Sequence, residues 1–249
     1  MSRPASARSV SVRRVAAEAI GTFLLVLIGP GAAMVDAWSG GSLGPTGIAL
    51  AFAFVVIAMI YALGHLSGAH INPAVTLAFW SVRRFPAAEV IPYVAAQCTG
   101  AAAASLALRA ALGPVGHMGA TLPGISVPAA FGIEWLLSFA LMFVIMAVAT
   151  DERVADGFAP LAVGLTVGFC ALMGGPLTGA SMNPARSFGP ALVGGLWRAH
   201  WLYWLAPVTA MIVAARAYDL LRIAQPPGVG PVDVVVGLQG PVSDRIESA

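Results

Sequence analysis

Charge is what this sequence most lacks. Only 10% of its 249 residues are Asp, Glu, Lys or Arg, against about 25% in an ordinary soluble domain. A soluble shell cannot be assembled from so few ionised groups. Cysteine is nearly absent as well, with Cys98 and Cys170 alone and both inside long apolar runs, which excludes a disulfide framework or a cysteine metal cluster. His65, His70 and His200 have neither nucleophile nor ligand spacing around them, so no metal, cofactor or enzyme chemistry is expected. The net charge of +2 and four Arg in the first 14 residues form a short run beside a membrane-length segment. Anionic lipid, not nucleic acid, is the partner such a run expects.

What the chain has instead is apolar surface: 59% hydrophobic residues, 28 glycines and a mean hydropathy of +0.86. Small residues suit close helix packing in lipid. Six stretches are long enough to cross a bilayer, near 15–38, 47–65, 88–111, 132–150, 158–174 and 200–217. The first is read as a spanning helix and not a cleaved leader, because its apolar run is too long and lacks a small-residue cleavage site followed by polar sequence. With no targeting segment recognised, the plasma or inner membrane is the expected location. Arg3, Arg8, Arg13 and Arg14 precede the first span, Arg83 and Arg84 separate the second and third, and Arg222 follows the sixth. Both termini are therefore expected in the cytoplasm. Arg186 and Arg198 fall on the opposite side and need another explanation. Trp38, Trp80, Trp201, Tyr203 and Trp204 are expected at the lipid interface.

The chain also repeats itself. Ser67-Gly68-Ala69-His70-Ile71-Asn72-Pro73-Ala74 recurs 111 residues later as Thr178-Gly179-Ala180-Ser181-Met182-Asn183-Pro184-Ala185. Glu18 and Glu134 stand near the starts of the first and fourth spans, each followed five residues on by Phe23 or Phe139. Two halves of three spans each, approximately 14–111 and 130–220, must have opposite orientations in the membrane. In each copy Asn is a good N-cap and Pro suits the first helical position. The apolar runs that follow, 75–80 and 186–192, are too short to cross but long enough to reach the bilayer centre. The expected fold is all-α: six transmembrane helices and two re-entrant half-helices meeting mid-membrane, with tails at 1–13 and 221–249.

Irregular backbone at that depth is tolerated where it lines a watery cavity. Gly68, Ala69 and His70, with Gly179, Ala180 and Ser181, would offer carbonyl acceptors to the lumen, and Asn72 and Asn183 amide donors at its centre. A small neutral molecule could exchange its water for this ladder. An ion would lose its hydration and meet two positive helix ends.

Paired Asn-Pro-Ala boxes (NPA motifs) in half-chain register, with Ser-Gly-Ala-His before one and Ala-Arg-Ser at the other, resemble the aquaporin and aquaglyceroporin family, also called major intrinsic proteins. The resemblance covers roughly residues 14–220. It implies a passive water channel that excludes ions and protons, a homotetramer with one pore per chain, and a selectivity filter at Phe52, Ala171, Ala180 and Arg186. Arg186 would bind the solute and repel cations, Phe52 would form an apolar wall, and Glu18 and Glu134 would brace the re-entrant loops. The chain departs from the family at Ala171, where narrow water-selective relatives usually carry His. It departs from the glycerol-conducting branch at Ala180, usually aromatic there, and at Ser187, usually Asp. The expectation is a widened water pore that admits a further small neutral solute, with glycerol, urea, ammonia and a neutral metalloid hydroxide unranked. His70 has two open roles, pore wall or loop anchor. A secondary transporter, the main rival, would need a carboxylate in the cavity, and Glu18 and Glu134 near the helix starts are poor candidates. A structural membrane protein would not need Arg186 and both amides.

Overall fold

Eight α-helices organise the chain in the computed structural model, which describes residues 11–151 and 157–223. In chain order they are α1 (Val12–Trp38), α2 (Gly44–Ser67), α3 (Pro73–Ser81), α4 (Ala87–Leu112), α5 (Val127–Thr150), α6 (Ala159–Thr178), α7 (Pro184–Gly194) and α8 (Leu202–Ile223). No strand occurs among the described residues. Six helices, all but α3 and α7, are long and apolar enough to cross a membrane. Of the expected tails, residues 1–10 and 224–249 lie outside the described residues, as do residues 152–156 of the link after α5.

Helix ends differ from the apolar runs for local reasons. α5 begins at Val127, ahead of the expected 132, with Pro128 in its first turn, where the missing N–H has no helical partner to lose. α8 begins at Leu202 because residues 199–204 wind tightly, the amides of Leu202, Tyr203 and Trp204 each reaching the carbonyl three residues back.

The packing repeats in the two halves. α1 packs on α2 and α4, as α5 packs on α6 and α8, while α2 and α6 join the halves. Each half-helix docks chiefly on the third long helix of the other half, α3 on α8 and α7 on α4. In lipid such contacts depend on close packing more than on expulsion of water. At the α1–α4 crossing a Cβ on Gly100 would stand 2.2 Å from the carbonyl oxygen of Ala19, so only glycine permits that approach.

The molecule is turned inside out relative to a soluble bundle. Phe54, Ile91, Leu106, Leu136, Leu165 and Leu220 are exposed, whereas Glu18, Gln97, Glu134 and Arg186 are buried. Trp38, Trp80 and Trp201 keep exposed rings. Tyr203 does not: it is fully buried, and its hydroxyl donates to the carbonyl of Thr178 at 2.7 Å. The interfacial expectation for Tyr203 is thus corrected. A buried phenol needs an acceptor, and the end of α6 supplies one.

Candidate functional site

The two Asn residues are the hinge of the arrangement. Asn72 caps α3 through its Oδ1, which accepts from the amide of Ala74 at 2.9 Å. Asn183 caps α7, accepting from Ala185 at 3.0 Å and Arg186 at 3.2 Å. Pro73 and Pro184 open the two helices, with Ala74 and Ala185 fully buried behind them. The amide nitrogens cross over: Asn72 donates to the carbonyl of Met182 and Asn183 to that of Ile71, both at 2.8 Å. These bonds tie the N-termini of the half-helices together. Each NH₂ group carries two protons, so one remains after the cross-bond.

The loops leading to these caps share an unusual backbone. Gly68 and Gly179 both lie at φ +87°, ending α2 and α6, followed by Ala69 and Ile71 at +46° and +43°, and Ala180 and Met182 at +41° and +51°. Left-handed alanine or isoleucine costs about 1 kcal/mol or more and persists only where its surroundings enforce it. Here buried carboxylates do so. Glu18 accepts from the amides of His70 (2.9 Å) and Ile71 (2.6 Å), from Ser67 Oγ (2.7 Å) and from Gln97 Nε2 (2.8 Å). Glu134 accepts from the amides of Ser181 (2.8 Å) and Met182 (3.0 Å) and from Thr178 Oγ1 (2.7 Å). The amides of Ala69 and Ala180 bond to Ser67 Oγ and Thr178 Oγ1. The loop N–H groups are therefore drawn backwards. The carbonyls of residues 68–70 and 179–181 accept no hydrogen bond from any described residue.

A cavity of about 120 Å³ runs past this junction, space for a file of several waters at roughly 10–15 Å³ each. Gly68, Ala69, His70, Ala180 and Ser181 line it, together with Asn72 and Asn183. Its remaining wall is largely apolar, from residues such as Leu25, Val56, Leu141 and Val167. Gly179 stands outside the lining: it caps α6 with its α-carbon against Thr121. Glu18 and Glu134 also lie outside it, behind the loops. His70 lines the cavity, its Nδ1 shares a 3.1 Å hydrogen bond with Thr76 Oγ1, and Phe79, Phe85 and Tyr93 pack around its ring.

Phe52, Ala171, Ala180 and Arg186 line the same cavity. The guanidinium carbon of Arg186 stands 4.9 Å from the centre of the Phe52 ring, within range of a cation–π contact. Arg186 is 4% exposed. One terminal nitrogen donates to the carbonyl of Gly119 at 2.8 Å, while its Nε has no partner among the described residues. That nitrogen is sealed from the cavity, and leaving it unpaired carries a cost. Among the described residues no group of three or more His, Cys, Asp or Glu could hold a metal ion.

Several supporting residues escaped the sequence reading. Gln97 bridges Glu18 and Thr76. Tyr93 and Tyr203 bond the last carbonyls of α2 and α6, at Ser67 and Thr178. The tyrosines are 110 positions apart, almost the period of the Asn-Pro-Ala boxes, a signal present in the sequence. Gly119 acts through its backbone, and no side-chain pattern marks it.

A family model described as Major intrinsic protein matches residues 5–218. The chain is 43% identical to Aquaporin NIP1-1 of Oryza sativa subsp. japonica, covering 87% of this chain and 76% of that one. It is 45% identical to Probable aquaporin AqpM of Archaeoglobus fulgidus, with 84% and 96% covered. Among solved structures it resembles the X-ray structure of the aquaglyceroporin from Plasmodium falciparum, at a TM-score of 0.75 and 26% identity over 86% of this chain and 99% of that one.

Proposed function

Since the chain belongs to the major intrinsic protein family, the aquaporins, which are passive channels and not enzymes, we propose that it conducts water together with a further small uncharged solute and excludes ions and protons. The observation that carries this is the division of hydrogen-bonding groups along the cavity. Carbonyls of the lining residues 68–70, 180 and 181 are left free as acceptors. The spare protons of Asn72 and Asn183 and the remaining terminal protons of the Arg186 guanidinium are left as donors. A neutral molecule with both kinds of group replaces its lost water along this path.

An ion does not. Two helix N-termini converge at Asn72 and Asn183, each equivalent to roughly half a positive charge, and Arg186 adds a full one. A cation meets this field after losing its hydration. A proton relay is opposed by the same field and by donors fixed at the centre. Phe52, Ala171, Ala180 and Arg186 act as the selectivity filter, and the side chain of Ala171 leaves the opening wider than a ring residue would. Glycerol, urea, ammonia or a neutral metalloid hydroxide are the solutes this width and polarity suit.

The rest of the assignment follows the family. Residues 14–220 form the channel in two inverted halves. The chain is a multi-pass membrane protein, with both termini in the cytoplasm of a plasma or inner membrane, and it assembles as a homotetramer. Glu18 and Glu134 stand outside the cavity with their oxygens committed to the loops, which favours a channel over a proton-coupled transporter. The test is the dependence of solute flux on driving force in proteoliposomes. A channel gives flux linear in the concentration gradient and indifferent to an imposed pH gradient. Saturation together with acceleration by the pH gradient would overturn the reading in favour of a transporter.

A further inference from the structure

The Phe52 ring occupies space that another residue has vacated. A Cβ placed on Gly29 of α1 would lie 2.2 Å from Cε1 of Phe52 and 2.6 Å from both Cδ1 and Cζ. Gly29 is helical and not among the left-handed glycines, although it precedes Pro30, whose ring also crowds a Cβ on the residue before it. A mid-helix glycine costs about 1 kcal/mol relative to alanine. Beside Pro30, the ring of Phe52 gives it a packing cause, because the ring fills the space a Cβ would take.

On its other side the ring faces Arg186 at 4.9 Å, and Arg186 is held by the carbonyl of Gly119. Ordinary contact begins at 3.4 Å, so a methyl on residue 29 must push the ring by about 1 Å or more. With α1 behind it and Arg186 fixed in front, the ring yields sideways into the cavity, where Ala171 and Ala180 leave space. The obstacle is the edge of a side chain and not backbone, so the ring relocates while the helices stay in place.

Resting on the reading of this cavity as a conducting pore, we infer that Gly29 is a specificity-determining residue, which sets the width of the filter by letting Phe52 lie back against α1. The filter is thus shaped from α1 as well as from α2, α6, α7 and the loop before α7. Gly29 needs no contact with the solute; it is a positioning residue acting through the ring.

The experiment compares wild type, Gly29→Ala, Phe52→Ala and the double variant in proteoliposomes of matched protein content, reading water and glycerol permeability by stopped-flow light scattering. Expected for Gly29→Ala is a fall in glycerol permeability of about tenfold, the scale on which a pocket discriminates one methylene, with a smaller fall for water. In the Phe52→Ala background Gly29→Ala changes neither by more than about twofold, because the obstructing ring is gone. A merely structural role would lower both solutes together in both backgrounds. An unchanged glycerol-to-water ratio in Gly29→Ala, or an equal change without the ring, overturns the inference. If the wild type conducts water alone, the comparison is read on water. If Gly29→Ala cannot be recovered folded, recovery of folded protein in Gly29→Ala/Phe52→Ala supports the ring as what the methyl meets, and failure to recover it there overturns the inference. A wild type conducting neither solute sinks the functional reading first, a result distinct from a conducting wild type insensitive to Gly29.

Discussion

Glu18→Gln removes one acceptor from a site that receives four donors. Oε1 takes Ser67 Oγ and the His70 amide, and Oε2 takes the Ile71 amide and Gln97 Nε2. A glutamine must put its NH₂ at one of these positions. At the first it faces Ser67, whose hydroxyl can turn to accept, and the amide of His70, which cannot. At the second it faces Gln97, whose own Oε1 has no partner and can flip to accept, and the amide of Ile71, which cannot. Either way one buried backbone N–H is orphaned at about 1–3 kcal/mol, and the two bonds kept by the carbonyl each weaken by roughly 1 kcal/mol as their charge assistance is lost. The sum is about 3–5 kcal/mol. The loss reaches the pore, because Ile71 receives the cross-bond from Asn183 on its carbonyl. Equilibrium unfolding in mixed micelles titrated with dodecyl sulfate measures the first effect, and water permeability per folded protein the second. A Gln variant within about 1 kcal/mol of wild type, at full permeability, would refute the bracing argument.

Further outcomes follow from the same geometry. Ala171→His fills the vacant part of the cavity wall, so glycerol permeability falls by about tenfold or more while water persists, read by stopped-flow light scattering. Ala180→Cys makes water flux sensitive to mercury and recoverable by a thiol reductant. The wild type is insensitive, because Cys170 is fully buried and directs its Sγ towards the Leu137 carbonyl, outside the cavity lining. Arg186→Ala removes a positive charge that repels a cation 5 Å away by roughly 3 kcal/mol at an effective dielectric of 20. Cation and proton leak, followed with a trapped pH dye, therefore rises by up to about a hundredfold.

Much of this architecture is legible in the sequence because the membrane simplifies the problem. Lipid forces each spanning segment into a helix, so six apolar runs become six helices, and Asn-Pro at the repeated boxes announces two more starts. Glu18 and Glu134 stood out because a carboxylate inside a span is rare. Tyr203 misled, since an aromatic near a span end reads as interfacial, and only the fold shows Thr178 waiting for its hydroxyl. The Asn side chains read as solute donors, yet half of their donor capacity is spent on the opposite loop. That cross-bond joins residues 110 and 112 positions apart, beyond any local pattern. Gly29 was invisible for the same reason: among 28 glycines only the ring of Phe52, on a different helix, distinguishes it.

The central claim is tested most directly by mixing protein-containing vesicles with excess glycerol and following light scattering beside protein-free vesicles. The account predicts fast shrinkage from water exit, then re-swelling faster than the control as glycerol enters past Ala171 and Ala180. Fast shrinkage with re-swelling no faster than the control would contradict the widened filter. Neither phase exceeding the control in folded protein would contradict the open pore itself.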